Sequence, residues 1–165
     1  MSGVANPKLA LRPYLPADAP ILAAIFRASV EELTGDDYDE EQQDAWASFA
    51  DDATDFAAKL AERLTLIATL GGSPVGFITL EGADKIDMLY VHPVAAGQGV
   101  GAMLADAIEK LASSRGAKRL TVEASDTAQG FFQHRGFTAQ QRNTVMRDGV
   151  WLPNTTMEKK FGGAS

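Results

Sequence analysis

The chain has 165 residues, of which 45% are hydrophobic and 22% charged, a net charge of −7 and no cysteine. That length suits one domain, 1–165, with a substantial core. Lack of cysteine excludes disulfides, thiolate metal sites and cysteine nucleophiles, and two histidines, His92 and His134, leave little room for another metal site.

In chain order, the opening segment MSGVANPKLALRPYLPADAP is broken by prolines and lacks an uninterrupted apolar core. It matches neither a signal peptide nor a membrane span, so a cytoplasmic protein with no membrane partner is expected. Lys8–Pro13 reads as a strand. Asp18 is positioned to cap a helix whose stripe is Ile21, Leu22, Ile25, Phe26, Val30 and Leu33. Thr34–Glu40 is a loop by composition, and Glu41–Phe49 and Asp52–Arg63 read as shorter helices.

Half of the 22 acids fall between Glu31 and Asp55, with no Lys or Arg from Arg27 to Lys59. Two readings are open: solvated helix faces, or an acidic mouth that attracts a cationic amine. The overall negative charge argues against nucleic acid as a partner.

Leu64–Leu70 and Val75–Leu80, joined by Gly71-Gly72-Ser73-Pro74, form a predicted hairpin. Lys85–Val91 is a third strand of this group and runs into a glycine loop. Val100, Met103, Leu104, Ala107, Ile108 and Leu111 then repeat at helical spacing up to Gly116. A strand, Arg119–Ala124, is followed by a short helix from Asp126 to Arg135. Phe137–Met146 and Val150–Glu158 close the chain as two strands around Arg147-Asp148-Gly149. The order β-α-α-α-β-β-β-α-β-α-β-β predicts a mixed α/β fold, antiparallel first, with one parallel crossover.

The loop Val91–Leu104, VHPVAAGQGVGAML, places Gly97, Gly99 and Gly101 at a helix entrance. Free N–H groups there carry partial positive charge, and an anion reaches them only where side chains stay away. A structural tight turn is the plainer alternative. Gly97-x-Gly99-x-x-Ala102 with Glu123 downstream also satisfies a dinucleotide fingerprint. His92–Ala96 separates the glycines from the strand, however, where that fingerprint needs direct succession.

Leu89-x-Val91-x-Pro93, a spacer and Gly97-x-Gly99-x-Gly101 resemble the acyl-CoA motif of the GCN5-related N-acetyltransferases (GNAT). Glu123-Ala124-Ser125, Ala128, Phe131-Phe132 and Gly136-Phe137 follow that family's second signature. Asp37-Tyr38, Glu41-Gln42 and Trp46 resemble a subgroup of small bacterial stand-alone members. The resemblance implies the acyl-CoA N-acyltransferase fold, with a splayed parallel pair at its centre, and acetyl-CoA as acyl donor without a metal. It places the CoA pyrophosphate over the amides of Gln98, Gly99, Val100, Gly101 and Ala102, and the pantetheine arm along Leu89, Tyr90 and Val91. Pro93 fits as a terminator of strand pairing. Ser125 and Phe132 are further cofactor contacts. Ala96 stands where the family commonly has Arg or Gln, which leaves Arg115, Lys118, Arg119 and Arg135 as candidates for the other phosphates.

Transfer to an amine requires proton removal, close positioning, an oxyanion donor and a stabilised leaving thiolate. The family's oxyanion donor is the N–H of Leu89 or Val91. Strict alternation would put Lys85, Asp87 and Leu89 on one face, making Asp87 the candidate base, with Glu81 in reserve. Phe132 stands where members often carry a tyrosine, so Tyr90 and Tyr38 are the candidate acids. Tyr38 and Trp46 are the candidate acceptor contacts. His92 and His134 read as loop and helix-end residues, and Trp151 as core. The implied activity is acetyl transfer to a small-molecule or protein amine by direct attack in a ternary complex. A non-catalytic acyl-CoA-sensing module is the alternative, and a homodimer is left open.

Overall fold

A computed structural model describes residues 8–162. The predicted apolar stripe builds α1 (Ala19–Leu33), followed by α2 (Glu40–Ala47) and α3 (Ala53–Glu62). Asp39 and Asp52 occupy the caps of α2 and α3, accepting from the amides of Gln42 and Asp55 at 2.8 and 2.9 Å. Part of the acidic run therefore starts helices. Asp18 does not cap α1 with its side chain as expected. Its carboxylate instead takes both terminal nitrogens of Arg12, at 2.8 and 2.7 Å, and the Leu15 amide.

Among the described residues, seven strands form one sheet: β1 (Leu9–Pro13), β2 (Leu64–Leu70), β3 (Ser73–Glu81), β4 (Lys85–Val91), β5 (Arg119–Ser125), β6 (Thr138–Arg147) and β7 (Val150–Lys160). Their spatial order is β1-β2-β3-β4-β5-β7-β6, and among the described residues only β4–β5 is parallel. The crossover between those two is α4 (Val100–Ser114), while α5 (Gln129–His134) links β5 to β6. Expected and observed elements agree in kind. The last short helix is shorter than Asp126–Arg135, because Asp126–Ala128 forms a turn.

Both faces of the sheet are covered. Ile78, Leu80, Ile86 and Leu120 pack with Leu104 and Ile108 of α4. Ile67, Phe77 and Met88 pack on the other face with Leu22 and Phe26 of α1 and Leu60 of α3. Each of these side chains that is fully buried, such as Leu22, Phe77 and Leu104, contributes about 1.5–3 kcal/mol by leaving water.

β4 departs from strict alternation. Its register on β3 passes from Leu80↔Ile86 to Thr79↔Met88, so Asp87 is an extra residue, a β-bulge. The fully buried Thr79 hydroxyl accepts the Met88 amide at 2.9 Å and satisfies that N–H at the irregularity. Across the bulge the faces exchange phase. Ile86, Leu89 and Val91 pack towards α4, whereas Met88 and Tyr90 pack towards α1 and α3. The expectation that Asp87 and Leu89 share a face is thus corrected.

β4 and β5 pair only at Lys85↔Thr121 and Ile86↔Val122. Beyond the bulge they diverge, while β5 stays paired with β7 as far as Ser125↔Asn154. The sheet is split at its centre. Trp151, expected in the core, is 57% exposed near the β6–β7 turn.

Candidate active site

The splay opens into a cleft of about 330 Å³. One side is formed by Leu89, Ala124, Ser125, Ala128 and Phe132, and the other by Trp46, Phe49, Asp87 and Tyr90. The His92 amide donates to Val75 on β3 at 2.7 Å. Leu89 and Val91 are out of phase with His92, so their N–H and C=O groups face the splay rather than β3. Two residues of free strand edge thus line the cleft.

Gly99 is the N-cap of α4 at φ 82°, and a Cβ there would meet nothing within 4 Å. The first helical bond runs from the Met103 amide to Gly99 at 3.0 Å. The amides of Val100, Gly101 and Ala102 therefore have no intrahelical acceptor, as at any helix start. Gln98, expected in the same cradle, directs its amide at Ala95 at 3.4 Å. Gly97 is likewise open, whereas Gly101 faces the Phe131 ring, 3.5 Å from where a Cβ would lie. Gly76 on β3 sets how close α4 lies: a Cβ there would fall 2.9 Å from Val100 and 3.1 Å from the Tyr90 carbonyl.

A family model for the acetyltransferase (GNAT) domain matches residues 34–161. The chain belongs to the GNAT acetyltransferase family. It is 35% identical over 151 residues to the uncharacterized N-acetyltransferase YafP of Escherichia coli, covering 91% of this chain and 95% of YafP. It is 30% identical over 127 residues to the peptidyl-lysine N-acetyltransferase YjaB of Salmonella typhimurium, covering 75% and 79%. A solved GCN5-related N-acetyltransferase of Rhodopseudomonas palustris superimposes with a TM-score of 0.92 at 61% identity, covering 97% and 100%. The class of this GNAT protein is therefore an acetyl-CoA-dependent N-acetyltransferase. The dinucleotide reading falls with this assignment: a 3₁₀ turn, Pro93–Ala95, separates β4 from the glycines, and Glu123 faces Lys85 at 3.6 Å.

The GNAT frame gives the remaining residues their places. Asp87 lies 2.7 Å from Arg63 Nε, and Arg63 also reaches Glu81 at 3.5 Å. Both carboxylates considered as bases converge on one arginine that local sequence reasoning did not single out. Its one local signal is its position between the end of α3 and an apolar strand, where a cation needs a nearby acid.

Tyr38 is buried at 4% exposure, and its hydroxyl donates to the Pro153 carbonyl at 2.7 Å while accepting the Asp126 amide at 2.9 Å. It ties the α1–α2 loop to the ends of β5 and β7. Burial raises the pKa of its phenol above the ordinary value. Tyr90 is held differently. Trp46 Nε1 donates to its hydroxyl at 3.2 Å, and among the described residues the Tyr90 proton has no acceptor. Desolvation pushes its pKa well above the usual value, so the phenol holds its proton beyond the pH at which a free tyrosine loses it. The Ser125 hydroxyl likewise accepts the Ala128 amide at 3.1 Å and keeps its own proton free of any acceptor among the described residues. Phe132 is buried between Phe131 and Phe137.

The candidate phosphate cations are largely committed or distant. Arg135 binds Asp106 and Glu109, and Arg119 pairs with Glu158 at 2.8 Å. Arg115 and Lys118 follow the far end of α4, about 22 Å along its axis from the glycines. His92 turns Nδ1 to the Val94 amide at 3.0 Å, which is a loop role. None of the acids from Glu31 to Asp55 lines the cleft. Asp51 and Asp55 instead pair with Arg27 and Lys59.

Proposed function

We propose that the protein transfers the acetyl group of acetyl-CoA to a primary amine by direct attack in a ternary complex. The observation that carries this is the split between β4 and β5 opening beside the bare N-terminus of α4. Gly97 and Gly99 leave that N-terminus uncovered, and Val100, Gly101 and Ala102 supply amides suited to a pyrophosphate. Leu89 and Val91 offer strand-edge groups that suit the amides of a pantetheine arm. The residues present therefore fit the coenzyme, which when bound supplies an activated acyl thioester.

The chain's own groups account for the rest. Asp87, on the bulge, is the proposed acceptor of the amine proton, directly or through one water. The amides of Leu89 and Val91 are the proposed oxyanion donors. Phe132 has no proton to give, so the free hydroxyl protons of Ser125 and Tyr90 are the available donors to the departing thiolate. With no cysteine in the chain, no thiol is present to carry the acetyl group covalently, which supports direct attack.

The test is release of free CoA on incubation with acetyl-CoA and a mixed panel of amines, followed by initial rates over both substrates. Amine-dependent release with intersecting double-reciprocal lines is the expected result. Tight acetyl-CoA binding without release for any amine would instead favour a sensing module. Parallel lines would indicate a covalent acetyl-enzyme.

A further inference from the structure

We infer that the acceptor is a small monoamine carrying a compact apolar body about the size of one ring, seated against Trp46, Phe49 and Tyr90. This rests on the amine-acetyltransferase reading above and narrows it.

The cleft wall opposite Ser125 and Phe132 is built from rings. Trp46, Phe49 and Tyr90 are partly exposed there, over the buried rings of Phe26 and Phe56. This wall is fixed. The hydrogen bond from Trp46 Nε1 to the Tyr90 hydroxyl joins two of the rings, whose centroids lie 6.3 Å apart. Phe49 has the Arg147 guanidinium over its ring at 4.3 Å, and that arginine is held by Ser48 at 2.9 Å. Preformed aromatic surface favours an apolar body over a hydrated chain.

Charge points the same way. Of the cations on the cleft, Lys59 pairs with Asp55 at 3.3 Å and Lys85 with Glu123 at 3.6 Å. Asp87 is matched by Arg63 at 2.7 Å. The acidic run lies elsewhere and lines none of the cleft. One amine can be placed at Asp87. The amine at Asp87 gives up its proton there. A second or third ammonium, as in a polyamine, would keep its charge in the ring-lined space, where the other cleft carboxylate, Glu123, is already paired with Lys85. Burying an unpaired charge is costly. The backbone flanking a peptidyl lysine would have to give up water at its amides against ring faces, which offer them no hydrogen-bond partner.

The experiment compares initial rates for 2-phenylethylamine, n-hexylamine, spermidine and an end-blocked lysine tripeptide at one pH with saturating acetyl-CoA. The expected kcat/KM for 2-phenylethylamine exceeds those for spermidine and the peptide by about tenfold or more, the scale on which apolar pockets discriminate. Trp46→Ala should raise KM for 2-phenylethylamine by roughly tenfold while the acetyl-CoA Kd stays within about twofold. Should Trp46→Ala not fold, Phe49→Leu keeps an apolar side chain and removes the ring. It should raise KM for 2-phenylethylamine more than for n-hexylamine. Spermidine or the lysine peptide turned over as well as 2-phenylethylamine overturns the inference, as does an unmoved KM in the folded variant. In either case continued acetyl-CoA binding and CoA release leave the transferase reading standing. Loss of both for every amine would remove the two together.

Discussion

Arg63 Nε lies 2.7 Å from an Asp87 carboxylate oxygen, an ion-pair contact without hydrogen-bond alignment. The contact joins the residue after α3 to the bulge in β4, and so links a helix end to the point where the sheet splits. Arg63 is 14% exposed at its side chain, and Glu81 shares it at 3.5 Å. The position of Asp87 on the cleft is therefore set by a residue outside the cofactor strand.

Asp87→Asn should lower kcat by about 10²–10⁴, the usual contribution of a positioned general base. The acetyl-CoA Kd from calorimetry should barely move, because Asp87 lies away from the α4 amides. Steady-state rates equal to wild type would remove Asp87 as the base.

Gly76→Ala should cost about 1–3 kcal/mol, typical of forcing an extra group into a packed interior. Its Cβ would press on Val100 and on the Tyr90 carbonyl, at 2.9 and 3.1 Å. Because Val100 opens α4, weakened acetyl-CoA affinity should accompany the lower Tm. A melt indistinguishable from wild type would mean that this contact does not set the helix position.

Tyr38→Phe removes a donor to Pro153 and the acceptor of the Asp126 amide in a buried setting. A loss of about 1–3 kcal/mol in urea denaturation is expected from groups left without partners. Unchanged stability would show that the loop is held by its other bonds, such as that from Thr127 to Asp37 at 2.8 Å.

Tyr90 gives a pH signature. Its folded pKa lies above the unfolded value of about 10. The protonated phenol therefore contributes stability that is fully present below about pH 10 and is lost as pH rises towards the folded pKa. Tyr90→Phe lacks this alkaline loss. The stability of wild type relative to Tyr90→Phe should fall between pH 8 and pH 11 in urea denaturation. A constant difference across that interval would contradict the desolvation of the phenol.

Much of the architecture was legible because helices and strands announce themselves through apolar spacing, as in Leu22, Ile25, Phe26 and Val30 of α1. The glycine loop was legible for a related reason: three glycines before a helix have a local backbone consequence. The β4 bulge left no such trace. β4 is covered on both faces, so Ile86 and Met88 look alike in sequence although they pack on opposite sides. Contacts between distant residues were also hidden. Tyr38 meets Asp126 and Pro153, and Arg63 meets Asp87, through folding alone. Asp18 misled because a carboxylate before a helix suits a cap, while Arg12 offered it a charged pair. Trp151 misled because apolar bulk does not reveal a place beside an exposed turn.

Calorimetric titration of wild type and Gly99→Glu with acetyl-CoA tests the cradle most directly. Position 99 combines φ 82° with open space over the α4 amides, so a carboxylate there would strain the cap and repel an anion. Saturable binding by wild type and none by a folded Gly99→Glu is the expected result. Equal affinity in both, or no heat from either, would contradict a pyrophosphate seat at this helix.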